Sequence, residues 1–151
     1  MMMKKLCLAG LVIGACLASP AMALEHEVVI EHDRGAIAAD YQGVVSVETR
    51  QIGTAGVAGR PSSLRCIWTA SLNVERTAMI GETLQSRRLL SSDDVASGSR
   101  PGWCGANAKA IDRLVDLRRE TFRTAMLALA GEDRTALLAE ADGVGTKNRE
   151  G

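Results

Sequence analysis

The sequence predicts an α+β domain, an antiparallel sheet of about four strands covered by one long C-terminal amphipathic helix. In the first part of the chain apolar and polar residues alternate, and a period of two is typical of half-buried strands. After Cys104 the apolar residues recur every three or four positions, which indicates an amphipathic helix. Strand signals therefore come first and helix signals last, an order that favours α+β over alternating α/β.

The clearest strand signal spans residues 64–75. Alternate residues there are apolar and predict one buried face: Leu64, Cys66, Trp68, Ala70, Leu72 and Val74. Weaker signals of the same kind predict strands at 25–32, 45–50 and 83–90. The intervening segments are predicted to be loops: 36–43, a glycine-containing hairpin loop at 53–63, and a polar, turn-rich connection at 91–102.

The helix signal covers about residues 107–130 and places Leu114 and Phe122 on the apolar stripe. Gly131 is expected to interrupt it, and 134–141 is a shorter helix or a kinked continuation. We therefore predict a single small domain at 24–142, followed by a flexible C-terminal tail at 143–151.

Residues 1–23 have the organisation of a secretory signal peptide. Lys4 and Lys5 precede an uncharged run of 13 residues (6–18), and the small-residue triplet Ala21-Met22-Ala23 follows Pro20. A run of this length is shorter than the roughly 20 residues of a membrane-spanning helix, so no transmembrane segment is expected. We predict cleavage after Ala23 and export to the periplasm or the extracellular space. The alternative is a lipobox at 12–16, in which Cys16 carries a lipid anchor.

Charge excludes one class of partner. The 128 residues after the predicted cleavage site carry 16 basic and 18 acidic side chains. Binding to nucleic acid requires an excess of basic groups to neutralise phosphates. We therefore expect no nucleic-acid partner.

Only Cys66 and Cys104 remain after the predicted cleavage. In an oxidising compartment a single remaining pair is expected to form a structural disulfide. In the chain-entropy model, closing a loop of about 39 residues stabilises the fold by about 4 kcal/mol. The spacing matches neither a Cys-x-x-Cys redox motif nor a zinc site.

The sequence carries no recognisable catalytic, cofactor or metal motif, and we predict none of these. His26 and His32 would lie about 20 Å apart along a strand, too far for both to bind one ion. We expect them to be solvated at the strand edge. The carboxylate pairs Asp93-Asp94 and Glu132-Asp133 are the candidates for a hydrolase, but they have the character of turn and helix-start residues.

Arg100 and Trp103 are the candidate binding residues, because a Trp and an Arg beside a disulfide have the composition of a binding hot spot. The alternative is that Trp103 fills the junction between sheet and helix. The sequence thus predicts a small, exported, soluble protein that acts by non-enzymatic binding to an envelope protein or a cell-wall component. A small exported hydrolase that uses carboxylates is the alternative function.

Overall fold

The computed structural model describes residues 22–82 and 84–147, with no side-chain detail for 144–147. The predicted signal peptide up to residue 21, including the lipidation candidate Cys16, lies outside the described residues, as do residues 148–151 of the predicted tail. Leu24, the predicted first residue of the mature protein, lies in the first strand and is buried.

The described chain forms a four-stranded antiparallel sheet followed by two helices, so the predicted α+β class is confirmed. The strands are neighbours in chain order, each joined to the next by a hairpin connection. The elements are β1 (Ala23–Ile30), β2 (Ile37–Ile52), β3 (Arg65–Ile80), β4 (Leu84–Pro101), α1 (Cys104–Asp116) and α2 (Arg119–Lys147).

The loop predicted at 36–43 is wrong, because this segment is the first half of β2. Ile37, Ala39 and Tyr41 point into the core, and the segment pairs with β1 on one side and β3 on the other. Alanine and glycine give it a weak intrinsic strand preference. Pairing on both edges decides its conformation instead.

The connection predicted at 91–102 is also wrong, because β4 continues to Pro101. The ladder with β3 is irregular between Ala70 and Leu72, where extra residues of β4 bulge out and Asp94 adopts a φ of 51°. Beyond the bulge, Gly98 pairs with Trp68, and a Cβ on this glycine would lie 2.9 Å from the indole. Gly98 therefore leaves room for the ring, which is why a weak strand former occupies the strand.

Two helices replace the single long helix of the prediction. The break lies at residues 117–118, where the N–H groups of the turn donate to the carbonyls of Arg113 and Val115. The interruption expected at Gly131 is wrong, because α2 continues through this residue. A helical glycine costs only about 1 kcal/mol, and the buried flanking residues Ala130 and Leu137 offset it. The helix also extends five residues into the predicted tail, to Lys147.

The helices cover one face of the sheet and form a single core with it. Phe122 and Met126 of α2 and Ile111 of α1 are buried, whereas Leu114 is only partly buried. The inward face predicted for residues 64–74 is confirmed, since all six of its apolar residues are buried. This core contains Tyr41, Trp68 and Phe122, three of the four aromatic residues.

The predicted disulfide joins Cys66 of β3 to Cys104 at the start of α1, across 38 positions of sequence. Gln51 of β2 reinforces this junction. Its side-chain oxygen accepts the Cys104 N–H at 2.7 Å, and its amide nitrogen donates to the carbonyls of Arg65 and Gly102. Because the N-cap residue Trp103 makes no capping bond with its side chain, Gln51 supplies the acceptor that the helix start requires.

Candidate functional site

Trp103 is the one aromatic residue of this chain that the core does not enclose. It is 57% exposed, whereas Tyr41, Trp68 and Phe122 are at most 1% exposed. Its packing into the sheet–helix junction, the alternative left open by the sequence, is therefore not observed. A large exposed aromatic side chain is the residue type that most often anchors a protein–protein contact.

The backbone on both sides of Trp103 is held in place. Arg100 donates from Nε to the side-chain oxygen of Asn107 at 2.9 Å, and the amide of Asn107 donates to the carbonyls of Pro101 and Trp103. The next residue, Cys104, carries the disulfide. We name residues 100–107 the tryptophan corner. Arg100 serves in it as an internal brace and is only partly exposed.

A buried ionic network joins the sheet to α2, and sequence analysis missed it. Arg76 of β3 is fully buried and donates to Asp133 at 2.8 Å and to Glu140 at 3.0 Å. The Tyr41 hydroxyl donates to Asp133 at 3.0 Å, and Arg88 of β4 reaches the other oxygen of that carboxylate at 3.3 Å. Two cationic and two anionic groups therefore meet between β3, β4 and the middle of α2.

Proton affinities in this network follow from its hydrogen bonds. The bond from Arg76 lowers the pKa of Glu140, and a bond from Ser86 adds to this against the opposing effect of burial. Burial works against the charge on Arg76, but its bonds to Glu140 and Asp133 outweigh that effect and raise its pKa. Burial and the neighbouring Asp133 raise the pKa of Tyr41. At neutral pH Glu140 and Arg76 are therefore charged and Tyr41 is neutral, as in a structural network.

An open cleft of roughly 400 Å³ lies beside this network, between β4 and α2. Arg88 and Asp133 line its polar side, and Leu90 and Leu129 line its apolar side. Asp133 is already bonded to Arg76 and Arg88, whereas Arg88 is 47% exposed and donates only one of its five N–H groups to Asp133.

The two histidines lie apart and serve different contacts. His26 stacks loosely on Tyr41, with ring centroids 6.0 Å apart. His32 bonds through Nε2 to Asp142 at the end of α2, at 3.0 Å, and its side chain is mostly buried. The expectation of a solvated strand-edge residue is therefore wrong for His32. Within residues 22–82 and 84–147, no group of three or more His, Cys, Asp or Glu side chains is placed to hold a metal ion.

The two carboxylate pairs considered for hydrolysis have different surroundings in the fold. Asp93 and Asp94 lie exposed at the bulge of β4. Glu132 is exposed on α2, whereas its neighbour Asp133 is buried against Arg76. Both Glu132 and Asp133 line the cleft between β4 and α2, but the carboxylate of Asp133 is already bonded to Arg76 and Arg88.

Comparison with protein-family models, with curated proteins and with solved structures finds no match for this chain. In the part of the chain that the structure describes, no helix has both the length and the apolar character that crossing a membrane requires.

Proposed function

We propose that this protein acts after export, in the periplasm or outside the cell, as a non-enzymatic binding protein whose anchor is Trp103. The N-terminal sequence pattern and the disulfide support export. The observation that carries the binding proposal is a large aromatic residue exposed on a braced, disulfide-anchored corner. Binding through a preformed corner loses little conformational entropy.

The partner is an envelope protein rather than a cell-wall polymer. An anchoring tryptophan contributes most when it enters a desolvated pocket of its partner. A folded protein surface offers such a pocket, whereas an extended glycan or peptide chain does not. The near-neutral balance of charges after the predicted cleavage site gives no electrostatic reason to prefer an acidic polymer.

The alternative function, a carboxylate-dependent hydrolase, has weaker support. Such an enzyme needs one carboxyl group held protonated near neutral pH as a general acid. The pKa of Glu140 is shifted downward instead, because Arg76 donates to its carboxylate. The Asp133 carboxylate accepts hydrogen bonds from three residues, Tyr41, Arg76 and Arg88.

Affinity capture with the exported protein tests the proposal. Wild type, Trp103→Ala and Leu117→Ala are immobilised, exposed to native envelope extract and compared by mass spectrometry. Leu117 is the matched control, because it is an apolar residue 82% exposed in the turn between the helices. We expect a protein retained by wild type and Leu117→Ala but lost with Trp103→Ala.

Binding of the captured protein is then measured with both components purified. Losing a hot-spot tryptophan weakens binding by about 2 kcal/mol or more, which is roughly thirtyfold in Kd. Equal affinity of wild type and Trp103→Ala would refute the anchoring role. Retention of cell-wall fragments instead of a protein would refute the proposed class of partner.

A further inference from the structure

Among residues 22–82 and 84–147, no strand lies beside half of one edge of β2. β1 pairs with β2 only from Ile37 to Val44, and the second half of β2, residues 45–52, continues beyond the end of β1. On its other side the same half of β2 is fully paired with β3. Residues 46–52 are all exposed, and we name them the free β2 edge.

The backbone groups that this edge presents can be identified. The Val45 N–H bonds to the Met22 carbonyl, so the N–H and C=O groups of Val45 point towards the β1 side. In an antiparallel strand alternate residues point to the same side. Val47, Thr49 and Gln51 therefore direct their backbone groups out of the sheet, where none of the described strands pairs with them.

A second copy of the same edge can pair with it in only some registers. In a hydrogen-bonded antiparallel pair the backbone N–H and C=O groups of both residues point towards each other. The outward-pointing residues of this edge are odd-numbered, so odd-numbered residues must pair with odd-numbered residues. Thr49 opposite itself satisfies this condition and places Val47 opposite Gln51 of the second copy. The partner strand then ends at Ile52, because Gly53 turns the chain away with a φ of 83°. Met22, which lies beside Val45 at the next position, is itself removed by the predicted cleavage after Ala23.

Charge selects this register from its neighbours. With Thr49 on the two-fold axis, Glu48 lies opposite Arg50 of the second copy, and the same pair occurs twice. The nearest symmetric registers that also pair odd with odd residues are shifted by two residues, and they place Glu48 opposite Glu48 or Arg50 opposite Arg50. Opposite charges at facing positions stabilise a sheet and like charges destabilise it. Neither Glu48 nor Arg50 forms an ion pair within the described chain.

The outer edge of β4, in contrast, has features that discourage pairing. It contains adjacent charged residues, Arg87 and Arg88, and a bulge at Asp93 and Asp94. Charged residues and bulges are the usual means by which proteins prevent association through an edge strand. The free β2 edge has a regular ladder with β3 and no bulge.

We propose that the free β2 edge joins two copies of this chain into a symmetric dimer, with β2 paired to β2 about Thr49. The two sheets become one sheet of eight strands, and the helices of both copies lie on the same side of it. The interface is isologous, so it closes as a dimer. This proposal does not rest on the partner proposed for Trp103, although Gln51 of the free β2 edge bonds to the tryptophan corner.

Charge reversal tests the pairing in solution. Glu48→Arg and Arg50→Glu each create two like-charge contacts and are expected to weaken the dimer about tenfold in sedimentation equilibrium. An equimolar mixture of these two variants restores both attractive contacts, so it is expected to form a mixed dimer of wild-type affinity. Far-ultraviolet circular dichroism confirms that each variant is folded. Failure of the mixture to recover, or a wild-type chain that is monomeric up to millimolar concentration, would overturn the proposal.

Cysteine cross-linking tests the register. Facing residues that do not share hydrogen bonds lie about 4.5 Å apart at Cα, within the range that a disulfide spans. A mixture of Glu48→Cys and Arg50→Cys proteins is expected to form a covalent dimer under mild oxidation, whereas each protein alone is not. Cross-linking of Glu48→Cys alone, or of Arg50→Cys alone, would show a shifted register and overturn the assignment to Thr49. A dimer that forms without any of these cross-links would place the interface elsewhere.

Discussion

Replacing Asp133 with asparagine is the sharpest test of the buried network, because the two side chains have nearly the same size. The Asp133 carboxylate is buried and accepts hydrogen bonds from Tyr41, Arg76 and Arg88. In the variant one oxygen becomes an amide group that donates, so it opposes donors already in place. Arg76 also loses the carboxylate nearest to its Nε.

The expected cost follows from burial. Breaking a buried ion pair by removing one partner costs about 3–5 kcal/mol. Glu140 remains bonded to Arg76, so we expect the lower end, about 3 kcal/mol in the free energy of unfolding. Urea denaturation with linear extrapolation measures this quantity, and an unchanged slope shows that the same surface is exposed on unfolding.

Asp142→Asn provides the matched control. Asp142 is also an aspartate of α2 in a charged hydrogen bond, but its side chain is 73% exposed and its partner is His32. Exposed pairs contribute at most about 1 kcal/mol. Equal losses for the two variants, or a loss below about 1 kcal/mol for Asp133→Asn, would show that burial does not set the cost of breaking these pairs.

Three further perturbations test other parts of the fold. Cys66→Ala/Cys104→Ala is expected to lower the free energy of unfolding by about 2–4 kcal/mol; unchanged urea melts would remove the structural importance of the bond. Gly98→Ala brings a methyl group 2.9 Å from the Trp68 indole and is expected to lower the free energy of unfolding by about 1–3 kcal/mol, with a shift in indole fluorescence. Gly105→Ala is the control, because Gly105 lies in the first turn of α1 and a Cβ there meets no atom within 4 Å. The pKa of Glu140 is lowered in the folded state, so its contribution to the free energy of unfolding is complete above its ordinary pKa of 4.5 and is lost as pH falls through the lowered pKa. Glu140→Gln should therefore lose less stability than wild type in that pH range when both are titrated with acid. The same loss of stability in both proteins would contradict this role of Glu140.

Local periodicity was sufficient for the central strand and for the stripe of the helices. The alternation of residues 64–74 predicts the buried face of β3, and the count of cysteines predicts the bond between Cys66 and Cys104. These features depend on residues that are strongly apolar or chemically unique. Phe122 was placed correctly for the same reason.

Local periodicity does not predict where the strands end. The first half of β2 is rich in alanine and the second half of β4 in serine, so neither segment has a strong strand preference. Their conformation comes from pairing with β3, which sequence periodicity does not report. The bulge at Asp93 and Asp94 further hides the period of two in β4.

One signal for the buried network was present in the sequence. Arg76 continues the even-numbered inward face of β3 two residues beyond Val74, and Asp133 lies in phase with Met126 and Leu137 on α2. A charged residue in phase with a buried face predicts a buried partner of opposite charge. The identity of that partner, 57 residues away, required the structure.

The network explains how α2 finds one position on the sheet. In the second half of this helix the buried apolar residues are Ala130, Leu137 and Ala141, whose small or flexible side chains discriminate weakly against a shift of one turn. Asp133 and Glu140 are seven residues apart, two turns along one face, and both bond to Arg76. A shift of one turn would leave a fully buried guanidinium opposite apolar side chains such as Leu137, a placement that costs several kcal/mol. Apolar burial therefore holds α2 against the sheet, while Arg76 fixes where along the sheet it lies.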